Sequence, residues 1–140
     1  MTSRERIQSA LNHVEADRVP VDFGGHRSSG IMAQAYVRLR EILGLPPSKL
    51  YVYDFIQQLA VIEDDVLDII GVDVVDVGQR FYRQEDYWQD WSLPDGTPCK
   101  IPAFIQVEKR GDDWGVRGDE NQGICIQKKG TLCLYLRGWL

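Results

Sequence analysis

Among the 140 residues of this chain there are only three cysteines, two histidines and two methionines, and no uninterrupted apolar run approaches the length of a membrane span. Cys99, Cys125 and Cys133 are odd in number and lack the paired spacing of structural zinc sites, so they read as reduced, structural thiols. The N-terminus lacks the basic-then-apolar layout of a secretion signal, which makes a soluble cytoplasmic protein with no membrane partner the default expectation. Excess positive charge is also missing. At a net charge of −5, with no cluster of Lys and Arg, the chain has nothing to neutralise phosphates, and nucleic acid is not expected as a partner.

What is present suffices for a globular core: 44% of the residues are hydrophobic. The stretch from Thr2 to Gly25, TSRERIQSALNHVEADRVPVDFGG, is the most informative. Thr2 and Glu5 form a capping-box pair that starts a helix near Ser3. Ile7, Ala10, Leu11 and Val14 then follow helical spacing and predict a buried stripe, leaving Arg4, Arg6, Gln8 and Asn12 toward water. His13 falls where it would help satisfy the helix's last carbonyls. Arg18 to Gly25 reads as a first strand, with Pro20 confined to its start or to an unpaired position.

Ile31 to Leu43 predicts a second helix with Ile31, Ala35, Leu39 and Ile42 inward, and Gly44 suits a left-handed cap before Pro46 and Pro47. Tyr51 to Phe55 reads as a short extended piece. Gln57 to Ile70 predicts a third helix burying Leu59, Ile62, Val66, Ile69 and Ile70 and stopped by Gly71; its acids Glu63, Asp64, Asp65 and Asp68 read as a solvated face. VDVVDVG, Val72 to Gly78, is a β-branched run expected to lie parallel to the first strand, because a long helical crossover separates them. Residues 1–82 thus read as a βαβ part. Residues 83–140 change character: Trp88 and Trp91, the turn Pro94 to Thr97, and segments FIQVEKR, WGVR and GICIQKK between Gly and Asp clusters predict an antiparallel β-hairpin or meander. Leu132, Leu134 and Leu136 fit either one face of a last strand or the open end of a truncated chain.

TSRERIQSALNHVEADRVPVDFGG, the run LDIIGVDVVDVG and the tryptophan hairpin with its PDGT turn, taken in order, resemble the N-terminal region of the uroporphyrinogen decarboxylase superfamily, most of all its corrinoid-dependent methyltransferase-like branch. The resemblance spans about residues 2 to 135. It implies an α/β chain that forms the opening part of a TIM (β/α)8 barrel, incomplete and carrying a β-hairpin insertion, since a whole barrel typically takes about 250 residues. On that reading the chain is an N-terminal fragment, inactive by itself, of a family that performs corrinoid-linked methyl transfer or decarboxylation. Zinc, a corrinoid and a corrinoid protein as partner are implied for the full-length family, and no cofactor for this part.

Barrel chemistry gathers at the C-terminal ends of the strands. That rule selects Gly24, Gly25, His26 and Arg27 after the first strand, and Gln79 and Arg80 after the second, as candidate ligand-binding residues for a small anion. Twin glycines let backbone N–H groups approach a ligand, and an arginine fork suits a carboxylate or phosphate. Equally, the glycines fit a tight turn and Arg27 a solvated loop charge. The family's decarboxylases carry an arginine-rich first loop and an aspartate after the second strand. Here those places read GGHRSSG and VDVGQRF, which disfavours porphyrinogen decarboxylation. A second expectation, of another class, is a small non-catalytic binding or interaction module whose open sheet edge pairs with another chain or with a second copy, since an exposed edge is a template for pairing.

Overall fold

A computed structural model describes residues 1–77, 84–110, 113–117, 124–127 and 134–137 of the chain. Two compact units divide it, Met1–Arg83 and Gln84–Leu140. Its class is mixed α/β, with three α-helices and small antiparallel sheets among the described residues.

In the first unit, helix α1 (Ser3–Leu11) begins at the expected capping box: the Glu5 N–H donates to Thr2 Oγ1 at 3.2 Å and the Thr2 N–H to Glu5 Oε2 at 2.8 Å. The expected apolar stripe is corrected. Leu11 is 75% exposed, Val14 lies beyond the helix end, and the buried residue of α1 is Arg6, on the side expected to face water. The physical reason is that α1 docks by charge: the Arg6 guanidinium enters between Asp17 and Asp73. His13 closes the helix through its backbone, at φ +57° with its N–H on the Ala10 carbonyl at 3.1 Å.

The two expected parallel strands do lie side by side and run the same way, yet they form no regular ladder. A single parallel bridge joins Asp22 to Val74, and the Asp73 N–H donates to the Val21 carbonyl at 2.8 Å. Next to the bridge a side chain replaces the ladder, because the Asp73 carboxylate takes the Val21 N–H at 2.9 Å.

Helix α2 (Ala33–Ile42) starts two residues later than expected and turns a different face inward. Ala33, Tyr36 and Arg40 are buried, whereas Ala35 and Ile42 are exposed. An antiparallel bridge from Met32 to Leu59, with the Ala33 N–H on the Gln58 carbonyl at 2.8 Å, sets that rotation. Gly44 follows at φ +69°. The expected helix from Gln57 to Ile70 divides: β1 (Val52–Asp54) and β2 (Leu59–Ala60) form a small antiparallel hairpin, and only α3 (Asp64–Ile70) is helical. Leu59, Ile62 and Val66 have helical spacing, but Gln58 takes φ +54° at the hairpin turn and Leu59 and Ala60 pair with β1. All three are buried, together with Ala33, Tyr36, Leu50, Val52 and Ala60, while Ile69 is exposed. Gly71, at φ +72°, is the left-handed cap that ends α3.

In the second unit, β3 (Trp88–Ser92) and β4 (Pro98–Pro102) make an antiparallel hairpin in the register Trp88 to Pro102 and Ser92 to Pro98. The Thr97 N–H on Asp95 Oδ1 at 3.0 Å and Gly96 at φ +87° shape its turn. Trp88, Leu93, Cys99 and Ile101 are buried. β5 (Gln106–Arg110), β6 (Asp113–Arg117), β7 (Ile124–Gln127) and β8 (Leu134–Arg137) follow as an antiparallel meander in chain order, as the turn signals indicate. Leu134 and Leu136 belong to β8; Leu132 lies outside the described residues.

Candidate functional site

The chain leaves the parallel bridge through Phe23 and turns at once into a 3-10 turn, Arg27–Ser29. Gly24 makes the turn possible with φ +86°, and a Cβ there would stand 2.5 Å from Ile62 Cδ1. A Cβ on Gly25 would stand 2.6 Å from Asp22 Oδ1 and 2.7 Å from Val74 Cγ1. Both N–H groups serve the loop itself: Gly24 donates to the Ser29 carbonyl at 2.9 Å and Gly25 to Asp22 Oδ1 at 2.8 Å. The His26 ring caps the turn, with Nδ1 2.7 Å from Ser28 Oγ and accepting the Ser28 N–H at 3.3 Å, while the His26 N–H donates to Ser29 Oγ at 3.1 Å. His26 thus acts within its own loop.

Arg27 differs from its neighbours. Its side chain is 65% exposed, and Nε lies 3.2 Å from Oδ2 of Asp54, a buried carboxylate at the end of β1. The other oxygen, Asp54 Oδ1, accepts the Gln57 N–H at 2.9 Å. A carboxylate held from both sides therefore fixes the inner edge of a guanidinium whose outer part faces water. Gly24, Gly25, His26 and Arg27 are brought together on one loop; Gln79 and Arg80 lie outside the described residues.

Asp54 was not among the residues selected from the sequence, although an acid inside the apolar run Tyr51 to Phe55 was the available signal. Beside it, burial and the carboxylates of Asp54 and Asp76 push the Tyr53 phenol up, and its hydroxyl is buried without a hydrogen-bond partner among the described residues.

A second polar centre was also missed. The Asp73 side chain has no exposure to solvent, and it accepts from Arg6, from Arg18 Nη1 at 2.7 Å and from the Val21 N–H. Burial pushes its carboxyl up, but the Val21 N–H, Ser3, Arg18 and Arg6 together outweigh this and hold it well below the usual carboxylate range. Asp17 is lowered chiefly by its hydrogen bonds from Arg6, Nε at 2.7 Å and Nη2 at 2.9 Å. Arg18 Nη2 reaches the Gly71 carbonyl at 2.8 Å, so the cluster ties the N-terminal helix to the end of α3. An acid placed between Val72 and Val74 in an expected buried strand was the signal that a cation had to accompany it.

The acids read as a solvated face are also partly engaged. Arg40 Nη1 contacts Glu63 at 2.6 Å and Asp65 at 2.9 Å, and Nη2 contacts Asp65 at 3.0 Å. Among the described residues no three His, Cys, Asp or Glu side chains converge as a metal-binding set. Burial pushes the Cys99 thiol up to about 12, the opposite of what a thiolate ligand needs. Among the described residues no helix is long and apolar enough to cross a membrane. Compared with known proteins, the chain matches no family model, no curated protein and no solved structure.

Proposed function

We propose that the N-terminal unit is the opening β/α part of a (β/α)8 barrel like those of the uroporphyrinogen decarboxylase superfamily, in its methyltransferase-like branch, and that its first loop holds a small anionic ligand at Arg27. Corrinoid-linked methyl transfer or decarboxylation is the activity such a barrel serves, and this chain alone binds without turnover. The parallel approach of Asp22 to Val74 across a helical connection supports the barrel reading, since parallel neighbours require such a crossover. The observation that carries the ligand reading is the anchoring of Arg27. Asp54 engages Nε of a side chain that is largely exposed, and the terminal nitrogens are the part of a guanidinium that grips a carboxylate in two parallel bonds.

Titration with succinate followed by 1H–15N correlation spectra tests the site. Saturable shifts at millimolar ligand in Gly25, His26 and Arg27, lost in Arg27→Gln, are expected. Their absence rejects it.

One observation favours the second reading, an interaction module with an open edge. Val19 and Val77, on the two segments that meet at the bridge, are 80% and 70% exposed, more apolar surface than an isolated pair of strands keeps in water without cost. Concentration-dependent dimerisation in sedimentation, weakened by Val19→Lys, is its expected result; a monomer at all concentrations rejects it.

A further inference from the structure

Imidazole is the side chain whose charge ordinarily changes between about pH 5 and 8. In the loop after the parallel bridge the His26 ring is exposed, and its Nδ1 takes the Ser28 N–H at 3.3 Å and lies 2.7 Å from Ser28 Oγ. A ring nitrogen accepts only through its lone pair, so this arrangement requires the neutral ring with its proton on Nε2. In the imidazolium both nitrogens are donors. Nδ1–H can then still bond Ser28 Oγ, because a hydroxyl accepts as well as donates, but it cannot hold the Ser28 N–H. The cap and the added proton exclude one another.

The base of the loop does not depend on the ring. Gly24 donates to the Ser29 carbonyl at 2.9 Å, while Ser29 Oγ donates to Asp22 Oδ1 at 2.9 Å and accepts the His26 N–H at 3.1 Å. Protonation therefore releases Ser28 and leaves the loop closed. Among the described residues, the charged groups of the loop and of the segments beside it are Arg27, Asp22, Asp54 on β1, which Arg27 reaches at 3.2 Å, and Asp76, whose charge acts on Tyr53 together with those of Asp54 and Arg27. Aspartates ordinarily lose their proton near about pH 3.9, below this range, and a guanidinium keeps its charge throughout it. The ring is the member of this group that changes charge there.

We propose that His26 is a proton-operated latch on the Arg27 loop. Neutral, it caps Ser28; protonated, it lets the Ser28 N–H go and sets a second positive charge one residue from Arg27, so that the loop holds an anion more tightly in acid. The gain in affinity rests on the anion reading of Arg27; the latch itself does not. Linkage makes the effect reciprocal, since a ligand that prefers the protonated loop also favours its protonation. Between exposed groups such a charge is worth about a two- to five-fold change in affinity.

Sulfate is the probe, because it stays a dianion across this range whereas succinate does not. Its Kd for the whole chain, read from 1H–15N shifts of Gly25 and Arg27 at low ionic strength, is expected to fall about two- to five-fold from about pH 8 to about pH 5. His26→Asn keeps an acceptor oxygen where Nδ1 stands but cannot take the proton, and in it the two values are expected to agree. In His13→Asn, on another element, the ratio is expected to persist. Equal affinity at both pH values in the unaltered chain, or a ratio that survives His26→Asn, overturns the proposal. If sulfate binds at neither pH, the anion reading of Arg27 fails and the ligand-free loop decides the latch. Ring 15N shifts are then expected to show the Nε2–H form of the neutral His26 ring, with the Ser28 amide following the ring's titration in the unaltered chain and staying fixed in His26→Asn. A neutral ring protonated on Nδ1, or a Ser28 amide that does not move as the ring titrates, overturns it.

Discussion

The two units hold themselves together by different means. In Met1–Arg83, contacts between distant parts of the chain run through charged side chains: Arg6 and Arg18 on Asp73, Arg40 on Asp65, Arg27 on Asp54. Among its described residues the backbone supplies one two-stranded hairpin and two isolated bridges. In Gln84–Leu140 the described strands pair in continuous antiparallel register, and Lys100 to Asp90, whose carboxylate is exposed, contributes an ion pair of the weak surface kind. A ladder distributes its stability over many similar backbone bonds. A charge cluster concentrates it in a few groups that fail together, and that difference should separate the units experimentally.

The largest effect is expected from Asp73→Ala. It leaves Arg6 buried with Asp17 and the Met1 carbonyl, deprives the Val21 N–H of its side-chain acceptor and frees α1 from the end of α3. Amide hydrogen exchange should show the first unit losing protection while β3 and β4 keep theirs; equal loss in both would erase the proposed contrast. The reciprocal substitution is Ile101→Ala, deep in the hairpin, with an expected cost of about 2–5 kcal/mol. Alkylation mapped to Cys99, slow in the native chain because the thiol is buried and neutral, should accelerate in this variant and not in Asp73→Ala.

Acid sharpens the same comparison. Asp17, Asp65 and Asp73 are all held below their ordinary value near 3.8, so in the unfolded chain they bind protons more readily than in the folded one. Their contribution is complete above about pH 3.8 and is lost as the pH falls further below it. Protection in the first unit should decline over that range before β3 and β4 respond, and Asp73→Asn should flatten the decline. A simultaneous loss in both units would contradict it.

Two glycines give a smaller, graded test. Gly24 and Gly71 both have positive φ, so alanine at either costs on the order of 1–2 kcal/mol of backbone strain. At Gly24 the new methyl also collides with Ile62, whereas at Gly71 the nearest atom is Arg18 Nη2 at 3.8 Å. Thermal melts should rank Gly24→Ala below Gly71→Ala. The smallest stability change is expected from Arg27→Gln, within about 0–1 kcal/mol for an exposed partner, although it removes the succinate response.

Local rules were legible in the residues. The Thr2–Glu5 capping box, the glycine stops at Gly44 and Gly71, the Pro94 to Thr97 hairpin turn and the punctuated meander each depend on neighbours within a few positions. The helical spacing of Leu59, Ile62 and Val66 misled because those residues are buried on a strand, a connecting segment and a helix in succession, and burial alone does not distinguish them. At the candidate site, the Gly24 to Arg27 loop was visible as a run of turn residues after a strand, while its anchor at Asp54 was not, being 27 positions away from Arg27 and on another element.

The sequence by itself determined where α1 begins, where α2 and α3 stop and where the hairpin turns at Pro94 to Thr97, because capping, left-handed φ and proline geometry act over a few residues. Which face of α1 and α2 is buried was decided only in the tertiary structure. Arg6 and Arg40 have the composition of surface residues, and they lie inside because Asp17, Asp73, Glu63 and Asp65, remote in the chain, arrive to neutralise them. A charge can be buried where its partners converge, and convergence is a property of the folded chain rather than of any window along it.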